Sequence, residues 1–238
     1  MSDEPPPRKR MVKPPTGGLE AGRPKPARLK TAYKRTLSQQ AWLERQINDP
    51  FAAKARAHGY RSRAAYKLTE LDDRFHLLRP GARVLDLGLA PGGWTQVAIE
   101  RGVTQIVGVD LVPVEPLPPA HILQMDFTDP DCGPRLIELL GGAPDVVLSD
   151  MAPNTVGHRE TDHLRIMGLI EAAADFAEDV LKPGGVFVAK AFQGAGSTEM
   201  IARLRRTFAE VRNLKPKASR AESSEVYLVA TGFKGKRP

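Results

Sequence analysis

The chain has 238 residues, 41% of them hydrophobic, and a formal charge of +7. That length accommodates one ordinary domain and a tail, and no apolar run approaches the roughly 20 residues of a membrane-spanning helix. A single cysteine, Cys132, excludes an internal disulfide and a cysteine-based zinc cluster.

The charge is unevenly placed. Residues 1–63 hold 15 Lys/Arg against 5 Asp/Glu, and residues 64–238 hold 20 against 23. The basic excess therefore sits in the N-terminal quarter, as in an arm that meets a polyanion; a solvated leader fits equally well. Met1 to Tyr33 has seven prolines and three glycines, which predicts a disordered or extended tail over residues 1–35 ahead of a folded domain over 36–238. The leader lacks the apolar stretch of a secretory signal. Asp3, Glu4 and the prolines argue against a mitochondrial transit peptide, so the cytoplasm is the expected location.

A short helix is expected from Ser38 to Asp49, with Trp42, Leu43 and Ile47 on one face. Arg56 to Arg74 reads as a second helix, with Tyr66, Leu68 and Leu71 apolar and Ser62 as its N-cap. After Pro80-Gly81, strands and helices alternate. Strands are predicted over 83–88, 105–110, 121–126, 145–150 and 185–190, with helices over 95–101, 134–140, 162–181 and 198–208. A proline-rich connection occupies 113–119, and strands over 211–214 and 226–231 close the domain. In the longest helix Leu164, Met167, Ile170, Ala174, Ala177 and Leu181 recur at helical spacing. The first five strands are continuous apolar runs, as expected when helices cover both faces of a sheet. The fold class is a doubly wound, Rossmann-like α/β domain on a seven-stranded, mostly parallel sheet.

Such sheets bind ligands beyond the carboxyl ends of their strands, where Asp86, Asp110, Asp126, Asp150 and Lys190 fall. The first loop reads Asp86-Leu-Gly-Leu-Ala-Pro-Gly92-Gly93-Trp94, a G-x-x-x-G-G spacing in place of the dinucleotide G-x-G-x-x-G. Its aspartate would repel a phosphate and attract a cationic amino acid. S-adenosylmethionine carries an ammonium and a sulfonium and no phosphate, so it suits this loop better than a nicotinamide dinucleotide. Asp110 is placed to accept hydrogen bonds from a ribose, and Asp126 to meet an adenine amino group. Lys190, at the end of an apolar strand, belongs beside Asp150.

Five segments together resemble the FtsJ/RrmJ family of ribose 2′-O-methyltransferases, which includes the bacterial enzymes acting on a uridine of large-subunit ribosomal RNA. They are Arg61-Ser-Arg-Ala-Ala-Tyr-Lys67, the Asp86–Trp94 loop, Val147-Leu-Ser-Asp-Met-Ala-Pro-Asn154, Pro183 to Gly194, and Ser219-Arg-Ala-Glu-Ser-Ser-Glu225-Val-Tyr. The resemblance implies a catalytic tetrad of Lys67, Asp150, Lys190 and Glu225. It also implies cofactor contacts at Gly92, Trp94, Asp110, Asp126 and Asp150. S-adenosylmethionine would be the methyl donor, with no metal required. The expected substrate is 23S ribosomal RNA, in the large ribosomal subunit, and the expected enzyme is a monomer supporting ribosome assembly. Leu89 departs from the small residue common at its place, and the basic leader is longer than in compact members. Lys190 can take the hydroxyl proton only when neutral, a state favoured by burial and a nearby Lys67 and opposed by Asp150. Seven Lys/Arg between Arg203 and Arg220, and three arginines between Arg56 and Arg63, are candidate phosphate contacts. An RNA-binding assembly factor without activity would have no need of Lys190.

Overall fold

The computed structural model describes residues 36, 40, 43–44, 47–153, 159–194 and 197–236. The expected tail over 1–35 and Trp42 lie outside them. The chain divides into two compact units, Met1–Asn48 and Asp49–Pro238. In the first, backbone bonds from Gln40 to Thr36 (2.9 Å) and from Asn48 to Glu44 (3.0 Å) are helical in spacing.

The second unit opens with α1 (Pro50–Ala57) and α2 (Ala65–Phe75). Asp49 caps α1 by accepting from the Phe51 and Ala52 amides, with Pro50 in the first turn. The single helix expected over 56–74 is therefore two. Gly59, at φ +76°, ends the first in a conformation that a helix cannot continue. Ser62 does not cap α2, whose N-cap position is Ala64. The Ser62 hydroxyl is pressed instead against Gly93, where a β-carbon would stand 2.3 Å from it.

There follow β1 (Arg83–Leu87), α3 (Gly93–Glu100), β2 (Gln105–Asp110), β3 (His121–Gln124) and α4 (Cys132–Leu140). The rest of the unit is β4 (Val146–Ser149), α5 (Arg159–Val180), β5 (Val186–Phe192), α6 (Ser197–Thr207), β6 (Phe208–Leu214) and β7 (Glu225–Phe233). The sheet order is β3-β2-β1-β4-β5-β7-β6. The first five strands are parallel, and β7 runs antiparallel to both β5 and β6. The fold class is as expected. Phe208, expected to end a helix, begins β6.

Two apolar layers cover the sheet. One joins Leu136 of α4, Ala173, Ala174 and Ala177 of α5 and Leu204 of α6 to Leu85, Leu87, Val147 and Phe187. The other joins Leu68 and Leu71 of α2 and Val97 of α3 to Val84, Ile106, Leu148 and Val188. Full coverage fails at the two edge strands, each with one neighbour: His121 and Gln124 of β3 and Glu210 and Arg212 of β6 are exposed. Leu164, expected on the buried stripe of α5, is 71% exposed. That end of α5 borders an open cleft, which Arg165, Gly168 and Leu169 line, and core packing begins only further along the helix.

Candidate active site

Register brings the chemistry to one edge. Ser149 pairs with Ala189 across β4 and β5, so Asp150 and Lys190 follow side by side. Lys190 pairs with Tyr227 and Phe192 with Glu225 across β5 and β7. Lys67 arrives from the first turn of α2. Both lysines are buried, and each has a carboxylate partner, as burial of charge demands. Lys67 Nζ lies 2.6 Å from Glu225 Oε1, and Lys190 Nζ lies 3.0 Å from Asp150 Oδ1. Lys190 also donates to the carbonyl oxygen of Asp150.

A residue with no role assigned from the sequence joins the two pairs. The Tyr227 hydroxyl donates to Asp150 Oδ1 (3.0 Å) and accepts from Lys67 Nζ (3.1 Å). Burial, then the charges of Asp150 and Glu225, push its pKa well above the usual tyrosine value, so it stays a neutral hydroxyl. Its position was available from strand alternation, since Glu225 and Tyr227 share one face of β7. Glu225 also accepts from Ser219 Oγ (2.9 Å). Burial works to raise the Glu225 pKa, but the Lys67 charge and hydrogen bond outweigh it and hold the carboxyl below the usual range. The four tetrad candidates thus stand together as two ion pairs bridged by Tyr227.

Beside them opens a cleft of about 850 Å³, lined among others by Gly88, Asp110, Leu111, Asp126, Asp150 and Met151. Three predicted cofactor residues, Asp110, Asp126 and Asp150, meet there. Asp110 also shapes its rim, accepting from the Ala90 amide (2.8 Å) and the Val112 amide (3.1 Å). Asp126 accepts from the Thr128 hydroxyl and amide, which hold its carboxyl below the usual value. Gly88 (φ +78°) must lack a side chain, because a β-carbon there would lie 2.7–2.9 Å from Met151 on the cleft wall. Leu89 packs over Gly108 of β2, into the space where a β-carbon would stand at 2.2 Å, so this departure from a small residue is accommodated by a glycine in the neighbouring strand.

Gly92 and Trp94 are not brought to the cleft wall. Gly92 caps α3 at φ +106°. Trp94 is buried; its ring tilts against Tyr227 at 5.6 Å and its indole N–H donates to the Ala64 carbonyl. It packs on the phenol that links the tetrad. Asp86 is fully buried below the loop. One of its oxygens accepts from Thr95 Oγ1 (2.6 Å) and the other has no partner. Burial, with the charges of Asp150 and Asp110, pushes its pKa up to about 7.

The basic clusters divide in two. Arg63 and Arg220 converge on Asp49, Arg203 on Asp175 and Glu178, and Lys215 on the Ala221 and Ser223 carbonyls. Arg61 is held by backbone carbonyls. These cations are committed to the fold. Arg56, Arg205, Arg206 and Lys217 stand exposed.

A buried Lys-Glu and Lys-Asp arrangement beside a carboxylate-lined cleft agrees with what the chain is similar to. Residues 60–233 match the model of the FtsJ-like methyltransferases. The chain belongs to that family. A Caulobacter sp. (strain K31) protein named ribosomal RNA large subunit methyltransferase E is 71% identical over 226 residues, covering 95% of this chain and 100% of the relative. A Gluconobacter oxydans protein of the same name is 56% identical, covering 90% of this chain and 80% of its own. A Plasmodium falciparum structure described as a ribosomal RNA methyltransferase superposes with a TM-score of 0.67 at 32% identity, covering 74% of this chain and all of that one. This family member is a methyltransferase, and among its described residues no helix is long and apolar enough to cross a membrane.

Proposed function

We propose that the protein transfers a methyl group from S-adenosylmethionine to the 2′-hydroxyl of a uridine ribose in 23S ribosomal RNA. It would act in the cytoplasm, on the large ribosomal subunit, in support of ribosome assembly. The observation that carries this reading is the tyrosine-bridged pair of lysine–carboxylate contacts opening onto a cleft lined by carboxylates. The names of the closely similar bacterial relatives point to the same RNA.

The residues present fit the donor. Asp110, Asp126 and Asp150 line the cleft, and carboxylates there suit a cationic ligand without phosphate. Asp110 would hold the ribose of the donor, Asp126 its adenine, and the backbone of the Gly88–Gly92 loop its amino-acid portion. When bound, the donor supplies an electrophilic methyl group on a cationic sulfur.

The chain's own side chains do the rest. A ribose hydroxyl is a weak nucleophile and must lose its proton as it attacks. Lys190, once it has released its own proton, takes the hydroxyl proton at Nζ, held in place by Asp150 Oδ1 and the Asp150 carbonyl. Tyr227 fixes Asp150 from the other side, and Glu225 holds Lys67 in place through their ion pair. The remaining contribution is alignment of oxygen, methyl and sulfur. Calorimetry with S-adenosylmethionine and with NAD tests the cleft assignment. S-adenosylmethionine should bind more tightly, and Asp110→Ala should weaken it by about 1–3 kcal/mol, the cost of leaving polar groups unpaired. Tighter binding of NAD would sink the assignment.

A further inference from the structure

Arg61, a candidate phosphate contact by its charge, is spent inside the protein. It lies between α1 and α2. Its Nη1 donates to the carbonyls of Pro91 (3.3 Å) and Glu115 (2.9 Å), and its Nη2 to that of Pro116 (3.0 Å). Pro91 belongs to the glycine loop after β1. Glu115 and Pro116 belong to the connection between β2 and β3. One guanidinium therefore ties together the two loops that follow the first two strands.

Three further observations show that the tie is built. The backbone of Arg61 is itself anchored: its amide donates to Gln96 Oε1 (2.7 Å), and Gln96 Nε2 donates to the Gly59 carbonyl (3.0 Å), fixing the segment to α3. Gly92, at φ +106°, adjoins the tie: a β-carbon there would stand 3.4 Å from both Arg61 Nη1 and Leu117 Cδ2, at contact distance. The connection it holds needs an external anchor, because four of the seven residues from 113 to 119 are prolines, which have no amide proton to donate. The start of that connection, Leu111 and Val112, lines the cleft while remaining 62% and 52% exposed.

We infer that Arg61 is a positioning residue for the methyl donor: it clasps the proline-rich connection to the glycine loop and so sets the mouth of the cofactor cleft. The inference rests on the reading that this cleft takes S-adenosylmethionine. Arginine is required because a planar fork reaches several carbonyls on different residues at once, whereas a lysine ammonium on its single stem does not match that geometry. Arg61 touches no reacting atom, so its loss should appear in donor affinity and loop order, with the methyl-transfer rate at saturating donor and RNA nearly kept.

The experiment uses the full chain as wild type, Arg61→Ala and Arg61→Lys, with far-ultraviolet circular dichroism and melting curves to verify folding. Hydrogen exchange is followed in peptides spanning 111–120 without ligand, and S-adenosylmethionine binding is measured by calorimetry. Arg61→Ala should speed exchange in 111–120 and raise the donor dissociation constant about tenfold, the scale of one charge-assisted hydrogen bond. Arg61→Lys should fall between, and supplies the answer if the alanine variant does not fold. Unchanged exchange and donor affinity in a folded variant would overturn the inference, as would a loss confined to the KM for RNA. If the wild type binds no S-adenosylmethionine, the cofactor reading fails on its own, and the exchange of 111–120 still decides whether the clasp exists.

Discussion

Removing one oxygen from Tyr227 tests whether the two lysine–carboxylate pairs work as a unit. Tyr227→Phe keeps the ring, which is fully buried and packed on Trp94, so no cavity opens. It deletes the donor to Asp150 and the acceptor from Lys67. Hydrogen bonds to charged groups contribute about 1.5–3 kcal/mol each. Both partners keep an ion pair, Asp150 with Lys190 and Lys67 with Glu225, so the cost to stability should lie near the bottom of that range, about 2 kcal/mol. Asp150 loses one of two restraints on Oδ1, and with it some of its hold on Lys190. A barrier increase of about 1.4 kcal/mol lowers the rate tenfold, and a fall of at least that size is expected. Urea unfolding gives the first quantity. Single-turnover methyl transfer at saturating donor and RNA gives the second. A variant as stable and as fast as wild type would refute the argument that the hydroxyl bridges the pairs. A stability loss with full activity would make the Tyr227 hydroxyl a structural hydrogen-bonding group with no part in the rate.

Lys190→Ala should lower single-turnover methyl transfer by about 10² to 10⁴, the usual worth of a general base, while donor affinity by calorimetry stays nearly unchanged. Lys190→Arg should fail as well, because a guanidinium keeps its proton; near-wild-type rates in the arginine variant would remove the base assignment. Asp86 carries a pH prediction. Its folded pKa, about 7, lies above the ordinary 3.8, so between those values the folded state binds the extra proton and this group's contribution to stability falls as pH rises. Asp86→Asn should therefore gain stability relative to wild type between pH 4 and pH 8, by at most about 4 kcal/mol at roughly 1.4 kcal/mol per pKa unit. Urea midpoints across that range check it, and a difference independent of pH would show that the carboxyl is not held protonated.

Much of the fold was legible because buried strands in a parallel sheet are continuous apolar runs. β2 occupies the expected 105–110, with Asp110 at its end and Asp150 just beyond β4 as read, whereas β5 runs two residues past Lys190 to Phe192. What escaped depended on partners distant in the chain. Charge counting marked Arg61, Arg63 and Arg220 as candidate phosphate contacts, but could not see the carbonyls and the Asp49 carboxylate that bind them. The role of Tyr227 depends on the antiparallel register of β5 with β7, which composition does not reveal. The packing of the Trp94 ring in the core against Tyr227 was likewise not readable from the chain order. Leu164 kept the helical period of α5, but the period does not say where the sheet stops and the cleft begins.

The central claim concerns where the methyl group goes. Large subunits lacking the modification are incubated with the protein and S-adenosylmethionine carrying a labelled methyl group. The 23S RNA is then digested to nucleosides and separated by mass spectrometry. The account predicts label in 2′-O-methyluridine, with wild-type protein and not with Lys190→Ala. Label on a base, or equal 2′-O-methylation by the alanine variant, would contradict it.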